Sequence, residues 1–307
     1  MAVYVCCGNT SRSEVAGEVH NAYAYNYTTH GSSGGNAAGV PAGMAVASLG
    51  TETGMSIMLP ASAGNLIGVR PIYHSVVMEG VAVDSKEFDC VGPMTRSVYD
   101  AAVITDILQE NRPKLTQRLD ALEGLTLGVL TSFSYTSFKI IEAGNQTLLS
   151  YELEPEVAEL FQEAVKNLGN LLGNGLIIRN VSDIRMGEML GKRLKQGKYE
   201  KFCWKEGMDE YWGGRQFDES APVNSFMDAI EIDPTFRQMV LRNTSISSLV
   251  TFDKFCQLHK DSQKQRQKFI DFVHELLKTV DILAAPSSNM FPNRLSESKN
   301  SSATSAL

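Results

Sequence analysis

His30-Gly31-Ser32-Ser33-Gly34-Gly35-Asn36 and Gly50-Thr51-Glu52-Thr53-Gly54-Met55-Ser56-Ile57-Met58-Leu59-Pro60-Ala61 are the two most distinctive stretches of the chain. Each alone reads as a turn, because Gly and Ser tolerate tight backbone geometry. A phosphate-cradling loop would need a Lys that neither stretch has, and a dinucleotide fingerprint would need a third glycine. Around them, residues 31–68 are rich in Gly, Ala and Ser and hold one ionisable side chain, Glu52. A solvated loop would be more polar. The composition predicts tight backbone packing or a buried site.

The wider composition narrows the class. The chain has 307 residues, 43% of them hydrophobic, with 28 basic against 35 acidic side chains and a net charge of −7. That predicts a globular protein of one large domain or two small ones. It argues against nucleic acid as a partner, since no basic excess or stripe is present; the run from Lys192 to Lys205 is broken by Glu200 and aromatics. No stretch reaches the ~18 apolar residues of a membrane span, and Met1–Gly8 lacks the basic start of a signal peptide. The expectation is a cytoplasmic protein with no membrane partner. Five cysteines, Cys6, Cys7, Cys90, Cys203 and Cys256, lack paired metal spacing and read as reduced thiols. Six N-x-S/T sequons, at Asn9, Asn26, Asn145, Asn180, Asn243 and Asn300, run against that compartment. No metal and no cofactor is expected.

The elements expected along the chain alternate. Asn36 to Ser48 reads as a helix of small residues, and Leu49 to Met58 as a turn-rich segment. Pro60 suits the first turn of a short helix. Ile67 to Val69 reads as a strand ended by Pro71. Thr95 to Leu108 reads as a helix with Val98, Ala101, Ala102, Thr105 and Leu108 on one face. Leu125 to Leu130 reads as a buried strand. Glu154 to Leu172 is the clearest amphipathic helix, with Val157, Leu160, Phe161, Ala164, Val165 and Leu168 at helical spacing. Leu176 to Val181 reads as a strand, Gln263 to Thr279 as a helix and Asp281 to Ala285 as a last strand. Strand–helix–strand order predicts α/β architecture with parallel pairing.

Taken together, the two serine stretches resemble the amidase signature family, whose hallmark is Gly-Ser-Ser-Gly-Gly followed by Gly-Thr-Asp/Glu-Thr-Gly-Gly-Ser-Ile. The spacing of the serines, 56 − 32 = 24 positions, fits as well. The similarity continues through Pro60-Ala61-Ser62, Gly68-Val69-Arg70-Pro71 and Asp89-x-x-Gly92-Pro93-Met94-Thr95-Arg96-Ser97-Val98-x-Asp100-Ala101-Ala102. Upstream, Arg12–Asn21 looks like the family's approach to the first serine. Far downstream, Ile282-Leu283-Ala284-Ala285-Pro286 is similar to its late strand.

The resemblance implies an α/β fold, a mixed central β-sheet flanked by helices. Its expected extent is one domain over residues 12–290, with a signature core at 12–110 and a peripheral part at 120–290, then a disordered tail at 294–307. It implies a serine hydrolase acting on carboxamide C–N bonds of a small-molecule amide through an acyl-serine intermediate. Ser56 matches the nucleophile, and Ser32 matches a bridging serine held by a cis peptide bond. The backbone N–H groups of Thr53, Gly54, Met55 and Ser56 match the oxyanion hole. A serine hydroxyl needs a base, and in the family that base is a lysine upstream of the first serine. Here the first lysine is Lys86. The resemblance thus implies a fragment, incomplete at both ends, lacking the Lys-bearing strand and the C-terminal part. It reads as an impaired amidase, or alternatively as a non-catalytic, binding pseudoenzyme.

Other departures concern the site. Met55 stands where the family has Gly and would be strained at positive φ. Met58 replaces a frequent arginine, and Glu52 an aspartate. His20 and His30 read as turn or surface histidines rather than substitute bases. Arg96 and Asp100, at i and i+4, read as a structural ion pair. Tyr23, Tyr25 and Tyr27 alternate as in a strand or an aromatic pocket wall. Cys90 reads as packed rather than reactive.

Overall fold

The computed structural model describes residues 11–13, 17–82, 85, 88–109, 112–117, 124–131, 133, 138–142, 146–151, 153–172, 175–181, 210–212, 228, 231–232 and 252–296. The basic run at 192–205 lies outside the described residues, as do Cys6, Cys7, Cys203 and the sequon asparagines 9, 145, 243 and 300.

The described residues open with a small antiparallel pair, β1 (Arg12–Ser13) and β2 (Gly17–Glu18). Helix α1 (Gly34–Gly39) follows the first serine stretch, and β3 (Ala47–Glu52) leads into the second. Then come α2 (Met58–Ala63), β4 (Ile67–Gly68), β5 (Cys90–Thr95) and α3 (Val98–Leu108). The second half runs β6 (Leu125–Leu130), β7 (Phe138–Glu142), β8 (Gln146–Tyr151), α4 (Pro155–Leu172), β9 (Leu176–Val181), α5 (Phe252–Leu277) and β10 (Ile282–Ala284).

The fold is α/β, with strands paired in both senses. Strand β5, buried at all six positions, is the centre of an antiparallel set in the order β3-β5-β4, with Glu52 opposite Cys90. Strand β6 is the centre of a parallel set in the order β10-β6-β9. The parallel pairing of β6 with β9 follows from a crossover that includes α4. Among the described residues the two sets hydrogen-bond separately, and β7–β8 form a hairpin.

Two apolar cores hold these layers. Ala37, Val40, Ile57, Ala61, Leu66 and Met94 seal α1 and α2 against β5. Leu130, Phe133, Val181, Phe272 and Val280 seal α5 against the parallel strands. The small residues of the first core let backbones approach. A Cβ on Gly34 would collide with Ser11 and Thr29, so no larger residue fits where α1 begins.

Several elements differ from the sequence reading. The helix expected over Asn36–Ser48 is only Gly34–Gly39. Residues 42–46 form an exposed turn region, and Ala47–Ser48 already belong to β3. Ala favours a helix, but Gly39, Pro41 and Gly43 interrupt it, and main-chain pairing to β5 sets the state of Ala47 and Ser48. The turn-rich segment is accordingly shorter than Leu49–Met58. Helix α3 starts at Val98, not Thr95, because Ser97 caps it by accepting from the Asp100 N–H at 3.1 Å. Val98 is 56% exposed and does not join the buried face. On α4, Leu160 and Ala164 also face solvent, while Val157, Phe161, Val165 and Leu168 are half-buried. Helix α5 begins eleven residues before the expected Gln263. Of the tail, Arg294 bridges to Tyr27, and residues 297–307 lie outside the described residues.

Candidate active site

The two serine stretches meet through their backbones. Ser33 donates its N–H to the Ser56 carbonyl at 3.1 Å. The Ser33 hydroxyl also accepts from the Thr51 N–H and donates to the Thr51 carbonyl, both at 3.1 Å. Strand β3 therefore has its outer edge closed by the turn that carries Ser32. Ser32 and Ser56 are both half-buried, and the peptide bond Gly31–Ser32 is cis.

Ser11 holds that turn from behind. Its hydroxyl, 1% exposed, donates to the His30 carbonyl at 2.8 Å and accepts from the Gly34 N–H at 3.1 Å. The sequence reading misses Ser11, since nothing in its local pattern marks a contact made with residues 19 and 23 positions away.

Ser56 sits between β3 and α2, at the end of a loop anchored by two carboxylates. Glu52, 1% exposed, accepts from the N–H groups of Ile57 at 2.8 Å and Met58 at 3.0 Å. Its other oxygen pairs with Arg70 Nε at 3.1 Å, and Arg70 also donates to the Phe88 carbonyl at 2.7 Å. Asp89 accepts from the Thr53 hydroxyl at 2.6 Å and from the Ser85 N–H at 3.0 Å. Among the described residues, the N–H groups of Thr53, Gly54, Met55 and Ser56 donate to no carbonyl or side chain. Such a row of donors suits a developing oxyanion.

Met55 adopts φ 68° with its side chain 5% exposed. His30 likewise adopts φ 54°. The surface or turn reading of His30 is corrected: its side chain is 2% exposed, and neither ring nitrogen has a hydrogen-bond partner among the described residues. Burial lowers its pKa from 6.5 to about 4, so the ring is neutral near pH 7. His20 lies apart, stacked on Tyr25 at 4.0 Å between centroids with Nδ1 2.7 Å from the Tyr25 carbonyl.

Other expectations resolve differently. Arg96 and Asp100 form no ion pair. Arg96 donates to the Val40 carbonyl at 2.6 Å, and Asp100 accepts from the Ser97 hydroxyl at 2.7 Å. The backbone acceptors lie nearer than the i+4 carboxylate, which is committed to the helix cap. Tyr23 and Tyr25 are exposed residues of a turn; of the three tyrosines, Tyr27 alone makes a strand-like bridge. Cys90 is packed, 2% exposed, with burial raising its pKa and the Arg70 charge opposing. Met58 is half-buried at the start of α2. Among the described residues, no three His, Cys, Asp or Glu side chains could hold a metal ion, and no helix is long and apolar enough to cross a membrane.

Comparison with known proteins places this geometry in context. The profile of a family described as Amidase matches residues 5–306. A glutamyl-tRNA(Gln) amidotransferase subunit of Thermotoga maritima is 26% identical over 275 residues, covering 88% of this chain and 55% of that protein. The corresponding amidotransferase subunit of Campylobacter hominis is 43% identical over 101 residues, covering 33% of this chain and 22% of that one. A solved structure described as a crystal structure of amidase superposes with TM-score 0.66 at 26% identity, covering 94% of this chain and 56% of that chain. The structure of 6-aminohexanoate cyclic dimer hydrolase shares the fold, with TM-score 0.68 at 21% identity over 94% of this chain and 57% of its own. The chain thus spans about half the length of the longest-matched of these relatives.

Proposed function

The chain belongs to the Amidase family, and we propose that it carries the serine machinery of an enzyme cleaving amide C–N bonds in small carboxamides. The observation behind this is the junction of the two serine turns, Ser33 N–H to Ser56 carbonyl, beside four backbone N–H groups that have no acceptor among the described residues. In this reading Ser56 Oγ attacks the carboxamide carbon. Its proton passes through Ser32, and the oxyanion is held by N–H groups from Thr53 to Ser56. The C–N bond breaks, the amine leaves with a proton, and water then hydrolyses the acyl-serine. Removing one donor of an oxyanion hole raises the barrier by about 3–4 kcal/mol. The curated relatives are named for amidotransferases, and breaking an amide C–N bond is the step that transfer and hydrolysis share.

The proton acceptor is the weak point. No lysine occurs among residues 1–85, and His30 bonds to neither serine. The second reading, a binding pseudoenzyme, draws on the same fact and on the buried Met55 side chain in the oxyanion loop. The reading of residues 12–290 as one unit draws support from ties across it: Arg266 lies 4.7 Å over the Tyr73 ring and 5.7 Å over the Phe88 ring.

A fluorophosphonate probe, read by intact mass and peptide mapping, tests the proposal. Slow labelling confined to Ser56 and lost in Ser56→Ala is the expected result. Folded wild type that stays unlabelled removes the hydrolase reading.

A further inference from the structure

Apart from the buried Met55 side chain, little packing constrains the oxyanion loop proposed above. Gly54 has nothing within 4 Å of where a Cβ would sit, and Met55 holds a backbone conformation that L residues disfavour. A donor row of that kind keeps its geometry only if both ends are fixed. The far end is fixed by Glu52, through the N–H groups of Ile57 and Met58. The near end is fixed by the 2.6 Å hydrogen bond from the Thr53 hydroxyl to Asp89.

We infer that Asp89 is a positioning residue for the oxyanion loop, acting through Thr53; this rests on the reading of Ser56 as nucleophile. The surroundings suit the task. Asp89 is 7% exposed, and its second oxygen accepts the Ser85 N–H at 3.0 Å. It stands directly before β5, the central strand of its sheet, so the anchor is set on the most buried backbone of the region. A bare carboxylate near an oxyanion would repel it. Here the charge is directed into the Thr53 hydroxyl and a backbone donor, which makes the net effect on the loop an ordering one.

This has a sign that separates it from plain electrostatics. If Asp89 acted only by its charge, Asp89→Asn would speed reaction with an anionic transition state. As a positioning residue it does the opposite, and Thr53→Val reproduces the loss although it changes no charge.

The experiment is the second-order rate of fluorophosphonate labelling for wild type, Ser56→Ala, Asp89→Asn, Thr53→Val, Thr53→Ser and the Asp89→Asn/Thr53→Val double variant, with urea melts alongside. The expected result is a 10- to 100-fold slower rate in both single variants. Thr53→Ser, which keeps the hydroxyl, labels within about threefold of wild type. The double variant is no slower than the worse single one, because Asp89→Asn weakens, by removing the charge, the same hydrogen bond that Thr53→Val removes. Amide hydrogen exchange over residues 52–58 rises in the slowed variants while exchange in β6 stays unchanged. Thr53→Val at the wild-type rate, Asp89→Asn faster than wild type, or losses that multiply in the double variant overturn the inference. Exchange that rises equally in β6 and residues 52–58 also overturns it, as a loss of global stability. Wild type labelling no faster than Ser56→Ala overturns the reading of the nucleophile and the inference with it.

Discussion

Ser33 donates its backbone N–H to the carbonyl oxygen of Ser56 at 3.1 Å, joining two turns whose serines lie far apart in sequence. The bond uses main-chain atoms alone, so it survives side-chain changes at either residue. Among the described residues, neither candidate hydroxyl, Ser32 or Ser56, takes part in the hydrogen bonds that hold the turns. Ser33 takes the structural task through Thr51, and Ser11 takes it through His30 and Gly34.

Glu52 is the strongest single anchor of this arrangement. Its carboxylate is almost fully buried and serves two N–H groups and the Arg70 guanidinium, whose own side chain is 30% exposed. Glu52→Ala leaves all three without their partner and destabilises the fold by about 3 kcal/mol, the lower part of the range for a broken buried pair because water reaches Arg70. Glu52→Gln keeps one acceptor and costs about 1–2 kcal/mol. Urea melts of both variants check the order; equal losses would show that the charge does not matter.

Met55 inverts a common rule of helix and loop substitution. At φ 68° an Ala keeps the steric conflict of an L residue and gives up the buried thioether chain, whereas Gly gives up the chain and relieves the conflict. Met55→Gly is therefore more stable than Met55→Ala by about 1 kcal/mol. Both are less stable than wild type, because losing a buried Met side chain costs about 2 kcal/mol or more. Chemical denaturation of the pair decides it, and an Ala variant above Gly would refute the strain.

Cys90 is poised not to react. Its thiol donates to the Pro71 carbonyl at 3.4 Å, and burial raises its pKa despite the nearby Arg70. The thiolate, which is the nucleophile, is scarce. Iodoacetamide at pH 8 should leave the Cys90 peptide unmodified for hours in native buffer and modify it within minutes in guanidinium. Fast native alkylation seen by peptide mass spectrometry would contradict the burial.

How much the sequence reveals depends on how local each signal is. Ser32 and Ser56 stand out because glycines flank them within a few residues, and β6, β9 and α4 stand out because their periodicity is complete within one element. Strand β3 reads partly as helix because Ala and Gly carry almost no period. Ser11 carries no local signal, and Asp89 shows only as part of a motif, with no task attached. Each acts on a residue many positions away, and only the fold brings them together. His30 reads as a surface or turn residue because its burial comes from packing that no neighbour in sequence announces.

His30 makes stability depend on pH in a direction that can be worked out. Burial lowers its folded pKa to about 4, against 6.5 when solvated. Between those values the unfolded chain takes up a proton that the folded chain refuses, so stability falls as pH drops from 6.5 towards 4 and levels off below. The full loss is about 3 kcal/mol, from about 1.4 kcal/mol per pKa unit, and most of it has occurred by pH 4.5. Carboxylates titrate in the same range, so the contribution must be isolated by difference. His30→Gly is the suitable reference, since φ 54° favours glycine there and no titratable group remains. Urea melts at pH 7 and pH 4.5 should show wild type losing about 2 kcal/mol more than His30→Gly over that interval. If the two proteins lose the same stability, the imidazole is reached by water or by a partner in solution, and its neutrality near pH 7 no longer follows from burial.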